Sequence, residues 1–433
     1  MATKTELTRR TFLSGAVALG GVAALAGCVT SGSSGGSTKG SGTGAIVFQN
    51  SESDPDPKAA LTALVKEYNA NPVGGKITMN TVATEQFRAQ LSTYLTSSNP
   101  PDVLSWYAGS VARDYASKGL LLDLSELWEG KGVASKFSTA LKQLSSDDKG
   151  RQIFMPTDYY WWGVFYFKSN FKKWGVEVPT TWDEFISLCD KLKGQGINPL
   201  AQGLSTTPWM ASGWFDILDL RVNGAQFHRE LLAGKHSFDS PEVKKVMKYY
   251  AQLVPYFDPN MGSYAWQDAV TPLVQGKDAM YLAGAFISEN VTQNADDLDF
   301  FSVPVIDKSI PSAEEAPTDG YFASAHSKNK QSVMDFLTYM ASPKQQEEFI
   351  QKSKSSNLPT SPDVSTSNFS PLVQKGLKLL NETKEITQFF NRDSSDALQT
   401  TADTALVKFL ATPKDVDQIL ADWQTAAKKV WNS

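Results

Sequence analysis

An α/β fold is what this sequence predicts, on three observations. Short apolar runs that read as buried strands alternate with stretches of helical periodicity. Beyond one Gly/Ser tract near the N-terminus, no second linker and no internal repeat breaks the pattern. The 433 residues suffice for two or three domains, or for one large body of two interwoven lobes.

The elements follow in order. AIVFQN, residues 45–50, is a first buried strand. DPKAALTALVKEYNANP places Ala60, Leu64 and Tyr68 at helical spacing. KITMNTV is a strand, EQFRAQLSTYLTSS a helix, and PDVLSW a strand entered by a Pro-Pro step. SVARDYASKG and LLDLSELWEG continue the alternation, which predicts a largely parallel sheet. TTWDEFISLCDKLKGQG is a helix with Thr180 or Thr181 as N-cap and glycines at its end. SPEVKKVMKYYAQLVPYF is strongly amphipathic, and KNKQSVMDFLTYMASPKQQEEFIQKS reads as a helix pair broken near Ser342 and Pro343. ILADWQTAAKKVW closes the chain as a helix.

The first residues read as an address. Lys4, Arg9 and Arg10 precede a short apolar run from Phe12 to about Ala26, too short to span a bilayer and suited to a signal-peptide core. TRRTFL resembles a twin-arginine export signal, and LAGC at Leu25–Cys28 resembles a lipoprotein cleavage box. That resemblance makes residues 1–28 a signal peptide and Cys28 the lipidated first mature residue, anchored at the extracytoplasmic membrane face; the alternative is an ordinary secretory signal with an incidental cysteine. Residues 29–44 are nearly all Gly, Ser and Thr and form a flexible tether. With Cys28 acylated, Cys189 remains alone, a small buried hydrophobe in a helix. A net charge of −5 offers no basis for nucleic-acid binding.

Four later segments resemble one family. SSNPPDVLSWYAG has its Pro-Asp-Val and aromatic step, and PTTWDEFISLCDKLKGQGINPLA its Pro-x-Thr-Trp-Asp-Glu helix. LVQGKDAMYLAGAF has its Gly-Lys-x-Ala-Met signature, and GYFASAHSKNKQSVMDFLTYMASPKQQEEF its late strand and helix pair. In this order, behind a lipoprotein signal, they resemble the sugar-binding proteins of carbohydrate ABC importers, the broad family of maltose-binding protein. The resemblance implies a two-lobed periplasmic-binding-protein-like α/β fold, with a ligand cleft between lobes joined by several crossings. It places lobe one at 45–156 and 279–322 and lobe two at 157–278 and 323–433. It also implies a monomeric, non-enzymatic receptor without cofactor or metal that hands an oligosaccharide to permease subunits.

Sugar rings have apolar faces and polar rims, so a site for them needs flat aromatic surfaces and a few fixed polar groups. The stretch DYYWWGVFYFK at 158–168 holds seven aromatic residues. Alternation sets Val164 and Tyr166 against Phe165 and Phe167, a strand apolar on both faces and therefore buried. The earlier half falls at a proposed crossing, so Tyr159, Tyr160, Trp161 and Trp162 are ligand candidates, Tyr160 foremost. Segment matching adds Trp106, Tyr107, Trp209, Trp214 and Phe286, and the QFFNRD cluster adds Phe389, Asn391, Arg392 and Asp393. Polar candidates at strand ends and crossings are Glu52, Asp54, Gln86, Arg88, Asp158 and Asp319.

No phosphate loop or nucleophile elbow is present, and His228, His236 and His326 lack the spacing of a metal pair. His228 reads as structural. The rival readings are a secreted glycoside hydrolase, which needs two carboxylates at a set separation, and a receptor for a polyol phosphate or peptide. For a phosphate, Arg88, Arg113, Arg221 and Arg392 form no visible cluster in the sequence.

Overall fold

The computed structural model describes residues 42–432 apart from Thr292. The expected signal segment, Cys28 and residues 29–41 of the tether lie outside the described residues. AIVFQN forms β1 (Ile46–Asn50), KITMNTV forms β2 (Ile77–Thr81) and PDVLSW forms β3 (Val103–Tyr107). The aromatic stretch divides between β4 (Met155–Tyr159) and β5 (Trp162–Phe167). Next come β6 (Asn198–Ala201), β7 (Asp278–Gly284) and β8 (Leu298–Phe301). The last strands are β9 (Ala313–Glu315), β10 (Thr318–Ala323), β11 (Leu358–Pro359) and β12 (Glu385–Thr387).

These make a six-stranded sheet in the order β11-β4-β10-β3-β1-β2, a four-stranded sheet β6-β7-β5-β8, and the small pair β12-β9. β1 runs parallel to both β2 and β3, as their helical connections require. The largely parallel sheet expected from the sequence is corrected beyond that point. β10 is antiparallel to β3 and β4, and β5 is antiparallel to β7 and β8. Strands that re-enter a sheet from the other lobe are free of the crossover rule that makes neighbours parallel.

The chain passes from the larger sheet to the smaller at Tyr160–Trp161, returns between β8 and β10, and leaves again after β11. This weave corrects the expected lobe boundaries. β7 pairs with β5 from Trp162↔Gly284 to Tyr166↔Met280, which puts 278–301 with the second sheet rather than the first. The helices Lys330–Met340 and Pro343–Ser353 belong with the first sheet. Phe336 meets Phe48 of β1 at 5.3 Å and Tyr68 at 5.5 Å, and Tyr339 Oη donates to Leu64 O.

Local chemistry explains the helices. Thr181 opens Trp182–Gly194 with a complete capping box: its hydroxyl accepts from Glu184 N while Glu184 reaches back to the cap backbone. Pro55 and Asp56 begin the helix Pro55–Ala70, whose Ala60, Leu61, Leu64, Val65 and Tyr68 are buried. The helix Met210–Val222 is buried all round, so no amphipathic signal marks it. Cys189 is fully buried. Among the described residues, no helix is long and apolar enough to cross a membrane.

Candidate functional site

Where β1 and β3 end, the two lobes face each other across a cavity of about 490 Å³. This is the carboxyl edge of the parallel strands, where open α/β sheets leave a crevice for ligands. One wall is aromatic. Trp266 meets Phe286 at 4.8 Å, Trp209 meets Phe389 edge-on at 5.6 Å, and Trp162 stacks on Phe389 at 4.7 Å. Tyr160 closes against Phe286 at 5.6 Å. Gly284, the glycine of LAGAF, permits that approach, because a Cβ there would lie 2.4 Å from the Phe286 ring and 2.7 Å from that of Tyr160. Trp209, Trp266 and Phe286 are only half-buried, so ring surface remains available in the cavity.

The other wall is polar. Arg392 Nη1 donates to Asp319 Oδ1 at 2.7 Å, and its guanidinium lies 4.0 Å over the Tyr107 ring and 5.3 Å from Tyr160. Asp158 accepts from Asn357 and Thr157. Glu52, just past β1, lines the cavity, its backbone N donating to Asn50 Oδ1 at 3.1 Å. Loss of water at the cavity wall, then the charges of Asp319, Asp158 and Asp54, push its pKa up to about 8. Desolvation and Asp319 raise Asp158 to about 7, against the opposing bonds from Asn357 and Thr157. Carboxyl groups at a partly dry cavity wall beside stacked rings suit a ligand that presents hydroxyl donors around an apolar ring face.

The cavity brings together Tyr160, Trp162, Trp209, Phe286, Trp106 and Tyr107, with Phe389, Asn391, Arg392, Asp54, Asp158 and Asp319. Five candidates fall elsewhere, each for a physical reason. Asp158, Tyr160 and Trp162 point to the cavity by strand alternation, which turns Tyr159 and Trp161 the other way. Trp161 is fully buried against Phe300 at 5.2 Å and against Gly376. Trp214 sits in the buried helix between Phe185 and Phe257. Asp393 is spent on helix Ser110–Ser117: its Oδ1 accepts from Ser110 N at 2.6 Å and from Arg113 at 3.3 Å. Gln86 is exposed on helix Thr84–Thr96, where Thr84 and Arg88, four apart, form the face toward the cavity.

Sequence reasoning missed Trp266, Asn357 and Glu289, all cavity residues. Trp266 stands in the polar stretch GSYAWQD, and a tryptophan isolated among Gly, Ser, Gln and Asp is the signal that marks it. Its backbone N donates to Thr207 Oγ1 at 2.9 Å, which fixes the loop beside Trp209. Asn357 and Glu289 carry no such mark; Glu289 is placed by Ser355 and Ser356. Among the described residues, no group of three or more His, Cys, Asp or Glu is arranged to hold a metal ion.

Two lobes around a polar and aromatic cleft define a solute-binding receptor fold, and comparison with known proteins agrees. Residues 52–347 match the bacterial extracellular solute-binding protein family, and the chain belongs to that family. The solved structure of the bacterial solute receptor AcbH, which has an exclusive substrate preference for β-D-galactopyranose, is 28% identical with a TM-score of 0.83; the alignment covers 90% of this chain and all of that one (100%). A chitin oligosaccharide binding protein, 22% identical over 89% of this chain and 99% of its own, shares the fold at a TM-score of 0.76. An uncharacterised ABC transporter extracellular-binding protein of Pyrococcus horikoshii is 22% identical, covering 86% of this chain and 85% of its own. A probable sugar-binding periplasmic protein of Mesorhizobium japonicum is 29% identical over 41% of this chain and 42% of its own length.

Proposed function

We propose that this protein is a lipid-anchored receptor that binds a neutral sugar in the interlobe cleft and delivers it to an ABC-type permease. The observation that carries the reading is the cleft itself: a wall of Trp162, Trp209, Trp266, Phe286 and Phe389 faces Glu52, Asp158, Asp319 and Arg392 across about 490 Å³. That volume lies in the range of pockets for small organic ligands. Sugar-binding relatives and the galactose receptor AcbH point the same way. Cys28 is the proposed lipid site and Arg9–Arg10 the proposed export signal. The ligand is the oligosaccharide expected from the sequence or a monosaccharide of the galactopyranose type.

A phosphorylated ligand fits the charges poorly. Arg88 pairs with Asp396, Arg113 with Asp393, Arg221 with Glu314 and Arg392 with Asp319, so each of these arginines is already matched by a carboxylate. Isothermal calorimetry of the body from residue 42, against hexoses, di- to tetrasaccharides, hexose phosphates and peptides, tests the reading. Saturable binding of a neutral sugar without product formation supports it. Binding confined to phosphates or peptides, or release of a cleaved product, would overturn it. Replacing Arg9 and Arg10 by Lys is expected to lower the surface-exposed protein; unchanged surface levels would point to the general secretory route.

A further inference from the structure

Behind the cleft, four ionisable side chains meet with no solvent exposure: Asp216 and Asp219 of helix Met210–Val222, His228 of helix Gly224–Leu232, and Glu315 of β9. None of them lines the cavity. His228 Nδ1 lies 2.9 Å from Asp219 Oδ2, and its Nε2 faces Asp216 Oδ1 at 4.0 Å. Asp216 Oδ2 accepts from Phe390 N at 2.8 Å. Among the described residues, Asp216 Oδ1 and both Glu315 oxygens meet no N–H or hydroxyl donor, although the two carboxyls stand within hydrogen-bonding reach of each other. The one bond open between them is a bond in which one carboxyl keeps its proton.

The place of this group in the chain gives it a use. Arg392 stands two residues beyond Phe390, Asp319 stands four beyond Glu315, and their side chains form the 2.7 Å ion pair of the cleft. Between these points Ala316 N donates to Thr387 O at 2.9 Å, and Gln388 accepts from Thr318 N while donating to Ala108 O. Both halves of the Arg392–Asp319 pair therefore hang from segments that the buried group ties together, where the chain crosses between lobes. We propose that the Glu315–Asp216 carboxyl pair, steadied by His228 and Asp219, is a proton-dependent positioning device for the cleft wall. Holding its proton, it keeps the Phe389–Arg392 segment and the strand bearing Asp319 in register for ligand; losing the proton sets two buried anions against each other and frees the segment.

The charged surroundings decide the direction. Burial first, then the charge of Asp216, raises Glu315 well above the usual carboxylate range. Burial also pushes Asp216 up to about 6, against the pull of His228. Asp393 faces His228, Tyr250 faces Asp216, and Glu314 flanks Glu315 with its charge answered by Arg221 at 2.6 Å. Burial pulls His228 down, but the hydrogen bond its ring makes to the Asp219 carboxylate and the charge of Asp216 outweigh burial and raise it. A carboxyl with a raised folded pKa stabilises below its unfolded pKa and loses that contribution as pH rises through the folded value. His228 loses its charge in the same direction. The device is closed on the acid side and loosens on the alkaline side.

The experiment is amide hydrogen exchange of the 387–393 segment in the full chain, wild type and Glu315→Gln, at pH 6 and 9 with intrinsic rates divided out. D-galactose affinity is measured on the same samples. The wild type is expected to lose about tenfold in protection or more between the two pH values. In E315Q the amide donates to Asp216 at either pH, and the difference should vanish. Equal pH dependence in wild type and variant would overturn the device. Asp216→Asn reverses donor and acceptor and answers the same question if E315Q fails to fold. Only the affinity arm rests on the sugar-receptor reading: exchange behaving as expected with no galactose bound would support the device and count against that ligand alone.

Discussion

Trp209 and Trp161 are both tryptophans of the aromatic candidate set, yet they do opposite work. The Trp209 indole is half-buried, edge-on to Phe389 at 5.6 Å, with a face left toward the cavity. Trp209→Ala should weaken sugar binding by roughly 1–3 kcal/mol with little change in unfolding temperature, measured by calorimetry and thermal melts. Wild-type affinity in W209A would remove that ring from ligand contact. Trp161→Ala should do the reverse, costing the fold about 3–5 kcal/mol through the void left against Phe300 and Gly376. At Glu52 the prediction is one of pH. Its pKa, raised to about 8, keeps a proton on the folded chain that the unfolded chain has released above about 4.5. Stability of the unliganded protein should therefore fall as pH climbs between these values, and Glu52→Gln should flatten that slope. A slope unaltered in E52Q would assign it to other groups.

At the scale of the element, strand alternation separates what composition alone leaves mixed. Asp158, Tyr160 and Trp162 share one side of the β4–β5 run, while Tyr159 and Trp161 share the other. The stretch was legible as partly cleft and partly core; the phase of the alternation was not, because four adjacent rings look alike from either side. Gln86 illustrates the same limit on a helix, since choosing Thr84 and Arg88 as the inner face needs the angle at which the helix docks. Asp393 lay beyond reach altogether: its partner Ser110 is 283 residues away, and no local pattern announces a cap supplied over such a distance. Glycine placement is equally unreadable until packing is known. Gly376 lies within helix Pro371–Glu382, where Gly usually costs stability, but a Cβ there would come 2.3 Å from the Trp161 ring. Gly376→Ala should thus destabilise the fold by about 1–3 kcal/mol despite its better helix propensity, read from denaturant unfolding. A stabilised G376A would mean that Trp161 shifts without strain.

For the whole molecule, family signatures revealed the two-lobed architecture, whereas the allocation of segments to lobes depended on pairings between distant strands. LVQGKDAMYLAGAF was recognisable from its residues, but its strand joins β5 rather than the first sheet because the register Trp162↔Gly284 seals the second lobe beside the crossing. That seal matters for motion. The chain crosses at Tyr160–Trp161, again ahead of β10 and again after β11, and cleft residues Tyr160, Asp319 and Asn357 stand close to those points. A ligand that touches both walls favours the closed arrangement by the contacts it gains there, and it shifts the population by that difference alone. Small-angle scattering of the protein with and without a bound sugar should show a smaller radius of gyration on binding. The same sugar at 100 times its dissociation constant should raise the unfolding free energy by about 2.7 kcal/mol. In W209A, titrated to equal saturation, the compaction should persist, because Arg392, Asp319 and the remaining rings still join the walls. Loss of compaction at full saturation in W209A would make that one indole the contact that draws the lobes together. Stabilisation with no compaction in the wild type would mean that the cleft is already closed before the sugar arrives.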